Sequence, residues 1–218
     1  MVLRLAEQLA VPLRERNTLL VAAGFAPVFR ERATDDPEFA TARRTVERIL
    51  KGHEPFPALA IDRNWNMVYT NQAVGTLLTG VDESLLQPPV NVLRLSLHPD
   101  GLAARIANLR EWRAHIFARL ADQIEVSADQ DLTALLAELK SFPVPPGAKP
   151  YQIAEPQHLD RIAVPFELIT EGGLLSFIST TTIFGTALDI TLSELAIESF
   201  FPANDRTAES LIQSTDRT

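Results

Sequence analysis

Two glycines, Gly172 and Gly173, separate the two longest runs of strand-forming residues in the chain, Arg161–Thr170 and Leu174–Phe184. Alternating hydrophobic residues on both sides of a di-glycine are typical of a tight β-hairpin. A third strand-like run, Leu195–Phe201, lies further along the chain. Three strands in succession predict an antiparallel sheet, whose apolar face must be covered by another layer of structure.

The first half of the chain predicts a further hairpin and the helices that would cover this sheet. Ala58–Asp62 and Met67–Thr70 have strand character and flank the turn sequence Asn64-Trp65-Asn66. A short helix, Asn71–Leu78, follows directly, and we expect Asn71 to cap it. Longer helices are predicted from a capping stretch at Thr34–Pro37 to about Lys51, over 91–125 with a break near 98–101, and over 130–141. The sequence therefore predicts an α+β domain with helices gathered beside one antiparallel sheet.

The N-terminal segment differs from the rest of the chain. Residues 2–10 and 12–24 predict two short helices, each with one apolar side, and Gly24 is a natural stop for the second helix. The segment is mildly basic, whereas the whole chain has a net charge of -8. Two short helices cannot bury a core of their own, so we expect them to be the end of a larger domain.

Composition excludes several classes of function. The chain has no cysteine, which rules out disulfides, iron–sulfur clusters and thiol nucleophiles. Its acidic net charge argues against nucleic-acid binding by the chain as a whole. No apolar run is long enough to cross a bilayer and no signal peptide is recognisable, so we expect a cytoplasmic protein.

Motifs for catalysis are missing as well. The four histidines do not have the spacing of a zinc-protease helix; they are His53, His98, His115 and His158. The sequence has no phosphate-binding glycine loop and no nucleophile elbow. We therefore expect no enzymatic activity, no metal site and no cofactor.

Residues 56–78, a strand–turn–strand that ends in asparagine and leads into a helix, resemble the start of a PAS-like sensor domain. A wider set of motifs resembles the MmyB-like transcription regulators. These motifs are Pro89–Arg94, Leu97–Leu102, Asn108–Trp112, His115, Phe177–Thr186 and Glu194–Pro202. The resemblance implies a PAS-like antiparallel sheet with flanking helices, preceded by a helix-turn-helix DNA-binding domain of the Cro/repressor type.

This resemblance implies a domain division at about residue 27. Residues 1–27 look like the last two helices of the helix-turn-helix domain, and residues 28–218 look like the sensor. The DNA-reading helices of the family are missing before Met1, so we expect no specific DNA binding by this chain alone. DNA would be a partner only through those helices.

The resemblance also implies a fatty-acyl effector held in a pocket of the sensor. On a helical wheel of the 102–124 region, apolar residues form one face and a second stripe lies beside it, formed by Asn108, Trp112, His115 and Arg119. Arg94 and His98, four residues apart, form a second polar pair. Either cluster is able to meet a carboxylate. Apolar residues predicted to line the acyl chain are Leu78, Leu93, Leu97, Phe177, Ile183 and Phe184.

Structural roles remain open for the same residues. Trp112 is equally consistent with a half-buried core position, the two histidines with helix ends, and Arg94 with a salt bridge. A rival function is a PAS-like dimerisation module without a ligand. An elongated cavity of several hundred Å³ would favour the sensor, and a packed interior would favour dimerisation. A heme or flavin PAS domain is less favoured, because no cysteine and no distinctive axial histidine is present.

Overall fold

The computed structural model describes residues 1–32, 36–148, 163–185, 187 and 189–215. The sequence features assigned to Thr34, His158 and Arg161 lie outside these residues. The strands are β1 (Ala58–Ile61), β2 (Met67–Thr70), β3 (Phe166–Thr170), β4 (Gly173–Ile183) and β5 (Ala196–Pro202). The helices are α1 (Val2–Gln8), α2 (Leu13–Ala22), α3 (Ala40–Gly52), α4 (Gln72–Leu77), α5 (Val92–Leu97), α6 (Leu109–Ser127), α7 (Gln130–Ser141), α8 (Ile190–Ser193) and α9 (Asp205–Thr215).

The five strands form one sheet in the order β2-β1-β5-β4-β3, and every neighbouring pair is antiparallel. The di-glycine hairpin is present: Thr170 pairs with Gly173 across the loop, and Gly173 has a φ of 116°, which favours glycine. The predicted α+β, PAS-like architecture is confirmed.

Helices cover the two faces of the sheet to different extents. Helices α4 to α7 pack on one face, where Leu168 and Phe177 of the sheet join Leu97, Leu120 and other helical residues in the larger core. On the opposite face α3 covers β1 and the start of β5 with Val46 and Leu50. The larger core is therefore the layer in which a cavity can form beside the sheet.

Helix α6 begins later than its sequence pattern suggests. The wheel treated residues 102–124 as one helix, but α6 starts at Leu109, and Leu102 and Ile106 lie at the two ends of a single 3₁₀ turn. Both residues are buried in the larger core despite this. The hydrophobic spacing thus identified core residues correctly but extended the helix too far.

Asn71 occupies the N-cap position of α4, as predicted, but its side chain does not cap the helix. Its side chain accepts a hydrogen bond from the backbone N–H of Ala58 at 3.1 Å and donates to the carbonyls of Leu50 at 3.1 Å and Phe56 at 2.8 Å. These bonds fasten the end of α3 to the start of β1, and no side-chain bond to α4 is formed. The buried amide provides a hydrogen-bond partner for three backbone groups that converge on it.

Helix α1 packs on α2, and α2 lies against the sensor near α8, where polar contacts are formed. The Arg14 side chain of α2 binds Glu194, with Nε to Oε1 at 2.6 Å, and also pairs with Glu31. Arg32 binds Asp189 at 2.7 Å. In the described ranges, no helix is long and apolar enough to cross a membrane.

Candidate ligand-binding cavity

A cavity of about 100 Å³ lies between the sheet and helices α4, α5 and α6. Most of its lining is apolar or aromatic: Pro57, Leu59, Trp65, Met67, Val74, Leu77, Leu78, Val92, Leu93, Leu95, Leu102, Trp112, Ile116, Phe166 and Phe200. Within the part of the chain that the structure describes, four lining residues are polar, namely Ser96, Arg119, Ser179 and Glu198. An apolar space with a few converging polar groups is the usual form of a small-molecule site, although the volume is below the roughly 300–1,000 Å³ of most such sites.

Charged groups meet at the part of the wall formed by α6 and β5. Arg119 donates from Nη2 to Oε1 of Glu198 at 2.8 Å and to the hydroxyl of Thr181 at 3.1 Å. The Thr181 hydroxyl also donates to the same Glu198 oxygen at 2.7 Å. The Glu198 side chain is only 7% exposed, so its charge is balanced within the protein rather than by water.

Trp65 joins this charged pair to the β1–β2 turn. The Arg119 guanidinium lies over the Trp65 ring, 4.8 Å from the ring centroid. The indole Nε1 donates to the side chain of Gln123 at 2.8 Å, and Gln123 donates to the carbonyl of Arg63 at 2.8 Å. Trp65 has a φ of 65°, which is rare for a bulky residue and is maintained here by these side-chain contacts.

The middle of the cavity wall has a second polar contact. Trp112 of α6 donates from Nε1 to the Ser96 hydroxyl of α5 at 2.9 Å, and both residues are buried. The Trp112 ring packs against Phe166 of β3 at a centroid distance of 5.0 Å. This arrangement joins α5, α6 and the sheet around the cavity through one side chain.

The family model for the MmyB-like transcription regulator ligand binding domain matches residues 42–213, which is most of the chain. The chain belongs to this family. A comparison with curated proteins gave no match. The matched region contains every residue that lines the cavity. A ligand-sensing role in the regulation of transcription follows from the family, and the cavity is the candidate place for the ligand.

Four of the predicted site residues of this MmyB-like domain line the cavity. They are Leu78 after α4, Leu93 of α5, and Trp112 and Arg119 of α6. Arg119 is already paired with Glu198, so a ligand meets an ion pair at this position rather than a single cation. Trp112 combines two of the roles considered from sequence, because it is a buried core residue and also forms part of the wall.

The second predicted polar cluster, Arg94 and His98, lies away from the cavity. Arg94 forms two hydrogen bonds with the carboxylate of Glu138 on α7, at 2.7 and 2.8 Å, and is partly exposed. His98 follows the end of α5, where its Nδ1 accepts from the backbone N–H of Asp100 at 3.1 Å and its ring contacts Phe142. Both residues therefore brace the surface between α5 and its neighbours.

Two members of the polar stripe also lie outside the cavity. Asn108 fastens the start of α6 to β3 through a bond to the carbonyl of Pro165 at 2.8 Å. The His115 ring lies 5.5 Å from the Trp112 ring, and His115 is not one of the lining residues. Burial and the charge of Arg119 lower the pKa of His115, whereas Glu198 raises it by a smaller amount.

The remaining predicted chain-lining residues are distributed over three environments. Leu97 and Phe177 are fully buried in the larger core, where Phe177 supports the lining residues Phe166 and Phe200 from behind. Phe184 packs with the smaller core on the opposite face. Ile183 is exposed at the end of β4.

The sequence reasoning missed Glu198, Trp65, Ser96 and Ser179. Glu198 had a usable signal, because it alternates with Ala196 and Phe200 and must share their inward face in a strand. A charged residue at an inward strand position is unusual and indicates a specific partner. Trp65 was assigned only to a turn, and its contribution to the wall depends on the packing of α6 against that turn.

Proposed function

We propose that this MmyB-like domain binds an amphiphile with a fatty-acyl chain in the cavity between the sheet and α4, α5 and α6. The observation that supports this proposal is the distribution of polarity in the wall. The surfaces contributed by α4 and by the 3₁₀ turn at Leu102 are wholly apolar, whereas the Arg119–Glu198 pair lies on the wall formed by α6 and β5. An acyl chain and a polar end group match these two kinds of surface.

The small volume of the cavity makes binding inseparable from a change of shape. A space of about 100 Å³ is too small for a long acyl chain, so the walls must move apart as the chain enters. Helices α4 and α5 have six residues each and are the shortest α-helices of the wall, whereas α6 has 19. A ligand that binds only the opened form shifts the population towards that form, which is the thermodynamic requirement for a sensor.

The proposed output passes to the N-terminal helices. We interpret residues 1–27 as the end of a helix-turn-helix DNA-binding domain, which in the complete regulator would contact DNA in the cytoplasm as a homodimer. The exposed apolar side chains of Leu9, Phe25 and Val28 support this interpretation, since they suit contact with further structure. Ligand-dependent movement of the sensor would alter the presentation of that DNA-binding domain.

Native mass spectrometry of the purified chain tests ligand binding directly. We expect fatty acids or related amphiphiles to bind in a 1:1 complex, either retained from expression or added afterwards. Leu78→Trp, which fills part of the cavity, should reduce the bound fraction at least about tenfold. Ile183→Trp adds the same side chain at an exposed position and should bind like the wild type. Loss of binding in both variants, or in neither, would contradict this location of the ligand.

A dimerisation role has its own supporting observation on the opposite face of the sheet. The strand register places two apolar pairs there, Ile169 with Leu174 and Ile178 with Phe201. Phe201, Ile169 and Leu174 are all more than 40% exposed. Light scattering after gel filtration tests this role: Phe201→Glu should convert a dimer to a monomer, whereas Val126→Glu on the exposed side of α6 should not.

A further inference from the structure

The part of the cavity wall formed by α6 and β5 is called the polar wall below. Its two charges, those of the Glu198 carboxylate and the Arg119 guanidinium, balance each other. Oε1 of Glu198 accepts hydrogen bonds from Arg119 at 2.8 Å and from Thr181 at 2.7 Å. Among the described residues no hydrogen bond reaches its second oxygen, Oε2. The wall therefore offers a ligand a satisfied cation, a carboxylate oxygen that is able to accept, and the hydroxyl of Ser179.

A second anion is poorly accommodated at this wall. A ligand carboxylate that approached Arg119 would come close to Glu198, in a place where Glu198 is nearly excluded from water. Like charges at short range repel strongly when water does not screen them. Displacing Glu198 from Arg119 is also costly, because it leaves a buried carboxylate without its partner.

Among the residues that the structure describes, we find no neighbouring group that supplies a compensating positive charge. His115 on α6 interacts electrostatically with both members of the pair, and its pKa is lowered by burial and by Arg119, which keeps the ring neutral near pH 7. Arg94 is bound to Glu138 outside the cavity, and Arg63 is bound to Asp129. The charge at the polar wall is thus set by the Arg119–Glu198 pair.

We infer that Glu198 is a specificity-determining residue, which makes the cavity prefer an amphiphile with an uncharged, hydrogen-bonding end over the carboxylate of the same chain length. A fatty alcohol or a primary fatty amide donates to Oε2 of Glu198 and brings no charge. This inference rests on the proposed function, since it takes the cavity as the ligand site. It refines that function by replacing the expected carboxylate end with a neutral one.

Isothermal titration calorimetry with decanol, decanamide and decanoate at pH 7.5 tests the inference on the 218-residue chain. For the wild type we expect the two neutral ligands to bind about tenfold or more tightly than decanoate, because the carboxylate meets a like charge. In Glu198→Gln the guanidinium of Arg119 becomes available to a ligand. The affinity for decanoate should therefore rise about tenfold, whereas the affinities for the two neutral ligands should change only a few-fold. Glu167→Gln is the matched control, as it removes one carboxylate from β3 outside the cavity lining.

The outcomes separate the inference from the proposed function. Equal or tighter binding of decanoate by the wild type overturns the inference and leaves the cavity as a ligand site. Circular dichroism first shows that Glu198→Gln is folded. If this variant then keeps the wild-type ratio of affinities for the neutral ligands and decanoate, the inference is overturned as well. Absence of binding by all three ligands overturns both proposals. The wild-type comparison requires no substitution, so it decides the inference even if Glu198→Gln does not fold.

Discussion

The N-terminal helices and the sensor are stabilised by different kinds of contact. Helices α1 and α2 each bury a single residue, Ala6 and Leu20, and expose the apolar side chains of Leu5, Leu19 and Val21. The sensor instead has a continuous core in which Leu120, Leu168 and Phe177 are completely buried. Hydrophobic burial has no directional requirement and is not screened by salt, whereas ion pairs such as Arg14–Glu194 require a defined geometry and are screened. The N-terminal helices are therefore able to move while the sensor stays folded.

Phe177→Ala should have the largest effect, because it removes an aromatic side chain from the centre of the sensor core. We expect the free energy of unfolding to fall by about 3–5 kcal/mol, measured by urea denaturation. Phe201→Ala on the exposed face of the sheet should cost about 1 kcal/mol or less. Similar decreases in the free energy of unfolding for the two variants would mean that burial in the core does not dominate the stability of the sensor.

Arg14→Ala should release the N-terminal helices and leave the sensor intact. The substitution removes the contacts of α2 with Glu194 and Glu31, and we expect a change of only about 1 kcal/mol in the unfolding of the sensor. Hydrogen exchange should accelerate in residues 1–28 and remain unchanged in α6 and β4. Arg4→Ala is the control, since Arg4 is exposed and has no ion pair with a described residue. Faster exchange in the sensor as well would show that the two regions are coupled.

Acidification should weaken the sensor through His115. Its pKa is lowered from 6.5 in the folded chain, so below about pH 6.5 the unfolded chain binds a proton more readily than the folded one. The free energy of unfolding should therefore decrease as the pH falls from 7.5 to 5. His115→Gln should show a smaller decrease over this interval in urea denaturation. The pKa values of Glu31 and Glu138 are lowered by their arginine partners, so their contribution to stability is lost at more acidic pH.

Arg94→Ala should have the smallest effect of the four. Its pair with Glu138 lies at the surface, where such pairs contribute about 0.2–1 kcal/mol. Ligand affinity in the native mass spectrometry experiment should be unchanged, because Arg94 is outside the cavity. A large loss of affinity would place the polar end of the ligand near α5 instead of near Arg119.

Local features of the fold were predictable from the sequence, because each of them is encoded in neighbouring residues. Helix α7 has the predicted limits, 130–141, since Asp129 caps it and leucines recur along one side. Asn204 directly precedes α9 and is a residue type that favours the N-cap position; its side chain accepts from the N–H of Thr207 at 2.9 Å. The di-glycine turn fixed the register of β3 and β4 for the same reason.

The cavity was less predictable, because its wall combines residues that are distant in the sequence. Arg119 was recognised on its helix, but its pairing with Glu198 depends on how α6 docks on β5. Arg94 was a reasonable candidate until α7 supplied Glu138, a residue 44 positions away. A helical wheel indicates which side of a helix is polar, but it does not indicate the structure that this side meets.

Both tryptophans of the chain, Trp65 and Trp112, line the cavity. Excitation of the indoles therefore produces emission from this one site alone, without any label or engineered reporter. Trp65 lies beside a guanidinium and Trp112 beside a serine hydroxyl, so the two rings respond to different parts of an incoming molecule. Spectra of Trp65→Phe and Trp112→Phe would separate the two signals and record, in real time, the order in which a ligand fills the wall.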